Sequence, residues 1–162
     1  MIRAAVAADL PAILGFWNPL IRDTLVTFSS AQKSLADMQK MLDDKAAEGR
    51  AFLVAEAAGA VVGFCSYGQF RAGNGYAHTM EHTIILDPVA HGRGLGRALL
   101  TGIEADARTK GAHSILAGVS GGNPESRAFH AAMGYGDPII VPQAGWKFGR
   151  WWDLWLMQKI LS

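Results

Sequence analysis

The chain has 162 residues, half of them hydrophobic, which is enough to bury one core without cross-links. Its formal net charge of +1 excludes a nucleic-acid binder that works by blanket phosphate neutralisation. A lone cysteine, Cys65, excludes an internal disulfide, and its apolar flanks (Val61, Val62, Phe64) mark a core thiol rather than a nucleophile.

Residues 2–6 read as a short extended start. Asp9 is placed to cap a helix with Pro11 in its first turn, running to about Leu25 and disturbed midway by Asn18-Pro19. Ser34 opens a second helix, with Leu35, Met38, Met41 and Leu42 at helical spacing and Gly49 as its stop. Residues 51–57 and 60–70 form a hairpin around Ala58-Gly59, and a Gly73-Asn74-Gly75 loop leads to a third strand over 76–86. A glycine cluster, 91–97, then opens a helix whose apolar stripe is Leu95, Ala98, Leu99, Gly102 and Ile103, stopped by Gly111. Residues 114–119 are a further strand, Asn123-Pro124 starts a helix carrying Phe129 and Met133, and 139–160 hold two extended segments around 145–149. No run reaches the ~18 apolar residues of a membrane span, so a cytoplasmic protein without a membrane partner is expected. The order is mixed α and β in one layered unit, a single domain over 1–162.

The strongest local signal is the turn after the third strand. Free N–H groups at a helix start, the helix dipole and closely approaching glycine backbone together hold phosphate. Gly92, Gly94 and Gly96 supply the backbone, and Arg93 and Arg97 supply charge. A dinucleotide fingerprint fails, because its third glycine would fall on Arg97 or Leu99. A nucleoside-triphosphate loop fails for lack of a Gly-Lys-Ser/Thr ending.

His91-Gly92-Arg93-Gly94-Leu95-Gly96 instead resembles the pyrophosphate turn of the GNAT acetyltransferase superfamily, Gln/Arg-x-x-Gly-x-Gly/Ala, with His91 as the departure. Residues 80–88, 123–130 and 147–153, the last beginning Lys-Phe-Gly-Arg-Trp, are similar to the phosphinothricin and methionine sulfone/sulfoximine N-acetyltransferase branch. The resemblance implies a single-domain α/β (α+β) GNAT fold, a mixed, mostly antiparallel twisted sheet flanked by helices. It also implies acetyl-CoA as co-substrate, no metal, a small amino-acid-like amine as acceptor, and a homodimer.

Acetyl transfer to an amine needs a base for the ammonium, a donor for the oxyanion and an acid for the departing thiolate. Alternation places Glu81, Thr83 and Ile85 on one face of their strand and Met80, His82 and Ile84 on the other. A carboxylate in so apolar a strand has its pKa raised by burial, and the family has its catalytic glutamate here, so Glu81 is the expected base, directly or through water. By resemblance, the backbone of Ile84, Ile85 and Leu86 splays at a bulge to hold the thioester and pantetheine arm. The turn residues Gly92, Arg93, Gly94, Leu95, Gly96 and Arg97 hold the diphosphate, and Asn123 and Ser126 touch the coenzyme. Helix capping accounts for Asn123 equally well. His130 is the expected acid, with Tyr135 in reserve. Arg71 is expected to clamp a substrate carboxylate, with His82 and Thr83 beside Glu81 in the acceptor site. Ala77 and Trp152 are the expected places for an individual substrate preference.

Three rivals remain at this stage. His78-Thr79-Met80-Glu81-His82 fits an inverted zinc-protease signature, but on a strand the two histidines would sit about 13 Å apart at ~3.3 Å per residue. A non-catalytic CoA-binding module would keep the turn and lose the chemistry. An acetyltransferase of protein or polyamine amines would differ only in its acceptor.

Overall fold

A computed structural model describes residues 1–162. Seven strands form one sheet in the order β1-β2-β3-β4-β5-β7-β6. They are β1 (Ile2–Ala4), β2 (Phe52–Ala57), β3 (Ala60–Gln69), β4 (Thr79–Leu86), β5 (Ser114–Ser120), β6 (Ile139–Lys147) and β7 (Arg150–Ile160). Only β4 and β5 run parallel; every other neighbouring pair is antiparallel. Four helices cover the two faces: α1 (Leu10–Asp23) and α2 (Leu35–Glu48) on one, α3 (Leu95–Thr109) and α4 (Pro124–Ala132) on the other. The mixed, mostly antiparallel sheet expected from the sequence is present.

Two apolar layers hold the helices on. Leu10, Ile13, Phe16, Trp17 and Ile21 of α1 pack on Phe52, Val54, Phe64 and Ile85 of the sheet. On the opposite face Leu99, Leu100, Ile103 and Ala107 of α3 pack on Cys65, Met80, Ile115 and Ala117. Cys65 is fully buried, and burial raises its thiol pKa well above the usual value, as a core thiol requires. The α3 stripe is rotated from the expected one, because Ala98 faces solvent while Leu100 is buried.

The local signals are used unevenly. Ser34 caps α2 in a reciprocal box with Asp37, and Gly49 ends that helix in the left-handed region. Ala58 and Gly59 turn the β2–β3 hairpin with φ of 52° and 80°. Asp9 precedes α1 but does not cap it with its side chain. Its carboxylate accepts from Val6 N–H and pairs with Arg3, tying the chain start to the helix entry. Pro19 does not interrupt α1, since the buried face on both sides of it outweighs one missing hydrogen bond.

One irregularity positions everything that follows. β4 pairs with β5 only from Thr79↔Ser114 to His82↔Ala117, after which the two strands separate. The β3–β4 register stays unbroken from Gln69↔Met80 to Gly63↔Leu86. The expected bulge at 84–86 is therefore absent, and the splay comes from β5 leaving β4.

Candidate active site

Asp87 N–H donates to Val62 O across β3, and Phe70 N–H donates to Thr79 O. Strand alternation then commits the Ile85 N–H to β3 and turns those of Ile84 and Leu86 toward the separated edge. These two donors face a cleft of about 430 Å³ lined also by His91, Gly94, Gly96 and Arg97. Gly92 and Gly94 both sit in the left-handed region, at φ of 78° and 77°, which glycine adopts without strain. Gly94 is the α3 N-cap and offers no side chain, so the first-turn N–H groups remain free for an anion. A methyl group at Gly96 would lie 3.1 Å from Leu86 Cδ1 and 3.3 Å from Phe129 Cε1, so the helix start seats closely on β4 and α4. Arg93 is exposed and does not line this cleft, leaving Arg97 as its arginine.

A second cavity of about 450 Å³ lies on the α1–α2 side and shares Val26, Ile84, Ile85, Asn123, Ser126 and His130 with the first. Glu81 and Thr83 line it, on the face their alternation predicts. Glu81 is half-buried, and burial raises its carboxyl above the ordinary carboxylate range. Gly118 opposite makes room for it, since a methyl group there would lie 3.1 Å from Glu81 Oε2.

Where the cavities meet, His82 and His130 stack at 5.1 Å and 20°. His130 Nδ1–H donates to Ser126 O at 2.8 Å, which leaves Nε2 as a lone-pair acceptor, buried and unpartnered. Burial lowers the His130 pKa against the opposing pull of the Ser126 carbonyl and the Glu104 charge, which favours the uncharged ring. Burial, and secondarily His130, lowers His82 to about 3, and neither of its ring nitrogens has a partner. Asn123 Oδ1 accepts Ser126 N–H and so caps α4 while lining both cavities.

Four expected residues line neither cavity. Tyr135 donates to Glu104 Oε2 at 2.9 Å in the α3 layer and lines neither cavity; burial and Glu104 raise its pKa. Arg71 is exposed with its guanidinium 5.5 Å from the Tyr76 ring, outside both cavities. Ala77 lies in the loop before β4, and Trp152 packs on Gly122, and neither lines either of the two cavities. His78 bonds Gly111 O at the surface while His82 faces His130, so the zinc-protease pair does not converge.

Sequence reading missed the wall contributed by the loop between α1 and α2. Val26 lines both cavities, and Thr27, Phe28 and Ser29 line the second. Lys147 holds this loop. Its ammonium, buried beneath β6, donates to Ile21 O, Thr24 O and Thr27 O at 2.6, 2.6 and 2.7 Å. Burial lowers its pKa, and the nearby charge of Asp23 at the end of α1 opposes that shift. Phe28 lies over Gly145 and Leu25 over Gly122, where side chains would collide.

The Acetyltransferase (GNAT) family model matches residues 17–135. An L-methionine sulfoximine/L-methionine sulfone acetyltransferase of Pseudomonas aeruginosa is 39% identical, covering 99% of this chain and 94% of its own. The solved structure of a phosphinothricin acetyltransferase from Sinorhizobium meliloti with acetyl-CoA is 31% identical, with a TM-score of 0.94 over 100% of this chain and 88% of that one. The structure of a ribosomal-protein-alanine N-acetyltransferase from Brucella melitensis is 39% identical, with a TM-score of 0.94 over 99% of each chain.

Lys147→Met should leave three carbonyls without their donor and lower unfolding stability by about 2–4 kcal/mol in denaturant titration. A change below 0.5 kcal/mol, on the order of a neutral surface substitution, would show that the loop does not depend on it.

Proposed function

The chain belongs to the GNAT acetyltransferase family, and from that membership we propose that it moves the acetyl group of acetyl-CoA onto the amine of a small amino-acid-like acceptor of the methionine sulfone, sulfoximine or phosphinothricin type. The observation that carries this is the meeting of two cavities at Ile84, Asn123, Ser126 and His130, with Glu81 in the second. The first cavity suits the coenzyme. The free N–H groups of the α3 start and Arg97 fit its diphosphate, and the N–H groups of Ile84 and Leu86 fit its pantetheine amides and thioester oxygen.

The reaction releases two protons from the ammonium: one goes to solvent and one to the departing sulfur. Glu81, with its raised pKa and place beside the acceptor, takes the first, directly or through water. His130 is uncharged at rest, so it can protonate sulfur only after collecting a proton. It takes the second from the attacking nitrogen and returns it to the thiolate. We prefer His130 to Tyr135 for that role, because the Tyr135 hydroxyl is donated to Glu104.

We assign the enzyme to the cytoplasm, where acetyl-CoA is made. We also assign it a homodimer through the β6–β7 hairpin, whose exposed Ile139, Ile140, Trp146, Phe148 and Trp151 form an apolar surface that suits a second copy. Sedimentation as a monomer at micromolar concentration would refute the dimer.

Thiol release with acetyl-CoA and methionine sulfone, phosphinothricin, polyamines or an alanine-starting peptide tests the acceptor class; transfer to the peptide alone would overturn the small-acceptor reading. Glu81→Gln should lower kcat ~10²–10⁴-fold while leaving acetyl-CoA affinity nearly unchanged. Wild-type kcat/KM should climb with pH through a value above the ordinary carboxylate range, because the ionised base is the active form. That limb should vanish in Glu81→Gln, and its persistence would remove Glu81 from the mechanism.

A further inference from the structure

The acceptor cavity carries a pair of donors that the transfer chemistry leaves unused. Lys33 Nζ lies 5.4 Å from the Trp17 ring centroid, and both residues line the cavity that holds Glu81. Trp17 is 5% exposed, and its Nε1–H is buried with no acceptor. A buried indole N–H ordinarily finds a partner, so a donor left without one in a residue that lines a cavity points to a ligand.

Lys33 is equally unspent. None of the eight ion pairs in the chain includes it. Asp37 feels its charge, yet gives its carboxylate to the Ser34 N–H in the α2 cap. The Lys33 backbone is held in place by one side chain of α1: Asn18 Oδ1 accepts Lys33 N–H at 2.8 Å, and Asn18 Nδ2 donates to Lys33 O at 3.0 Å. Lys33 is the one lysine or arginine of this cavity, and Glu81 is its one acid. A cation and a base in one cavity match a zwitterion better than a simple amine.

We propose that Lys33 and the Trp17 indole N–H form the anion-binding end of the acceptor site and hold the carboxylate of an amino-acid acceptor whose amine faces Glu81. This rests on the acetyl-transfer reading and replaces the clamp expected at Arg71, which lies outside the cavity. Lys33 is thus a specificity residue that separates amino acids from amines lacking a carboxylate.

The test compares wild type, Lys33→Met and Lys33→Arg with methionine sulfone and its methyl ester at saturating acetyl-CoA. Lys33→Met should raise KM for the acid ~10-fold or more, leave KM for the ester and kcat within ~2-fold, and be largely rescued by Lys33→Arg. Equal changes for acid and ester, or none, would overturn the proposal. Calorimetric titration of methionine sulfone and its ester into the CoA-loaded proteins reads the same site without turnover. Acid binding that depends on Lys33 in a protein that transfers nothing would uphold the anion site and sink the transfer reading. Acetyl transfer with acid and ester bound equally well would do the reverse.

Discussion

The site rests on the separation of β4 from β5 after the His82↔Ala117 pair. A strand edge inside a sheet normally spends its N–H groups on a neighbour, and leaving them open in the interior is costly. Here the edge of Ile84 and Leu86 opens into a cleft instead, where a ligand can take the missing strand's place. The same parallel pair requires a crossover helix, and that helix must begin beyond the end of β4. One topological fact therefore places the free N–H groups of a strand edge and those of the α3 start beside the same opening.

The acceptor side is built by different means. Its outer wall is the loop between α1 and α2, joined by Trp17 of α1 and Met41 of α2. That loop is fixed from beneath by the Lys147 ammonium and by two glycines that let Phe28 and Leu25 sit close. A buried lysine with three carbonyl partners is a demanding arrangement, because desolvation of the charge is offset only when every donor is used. The demand suits a loop that must keep one shape while lining both the coenzyme cleft and the acceptor cavity.

Much of this was legible in the sequence, and the exceptions share a cause. The helix starts, the glycine turn and the alternation around Glu81 are local patterns, and local geometry decides them. What escaped depends on partners far along the chain. Asp9 has the spacing of a cap, yet Arg3 and the Val6 N–H claim its carboxylate. Tyr135 matches a plausible acid by position, but Glu104, 31 residues away, fixes its hydroxyl in the opposite layer. Lys147 is 120 or more residues from each carbonyl it binds, so no reading of its neighbours could reveal it. The Lys-Phe-Gly-Arg-Trp motif carried the family signal without disclosing why its lysine is needed.

The central claim is that the unpaired edge of β4 is the coenzyme's docking strand. Amide hydrogen exchange followed by NMR, with and without acetyl-CoA, tests it at single residues. The account predicts that the Ile84 and Leu86 amides gain protection on binding while Ile85, already bonded to β3, stays as slow as before. Acetyl-CoA binding that leaves Ile84 and Leu86 exchanging at their free rates would contradict it.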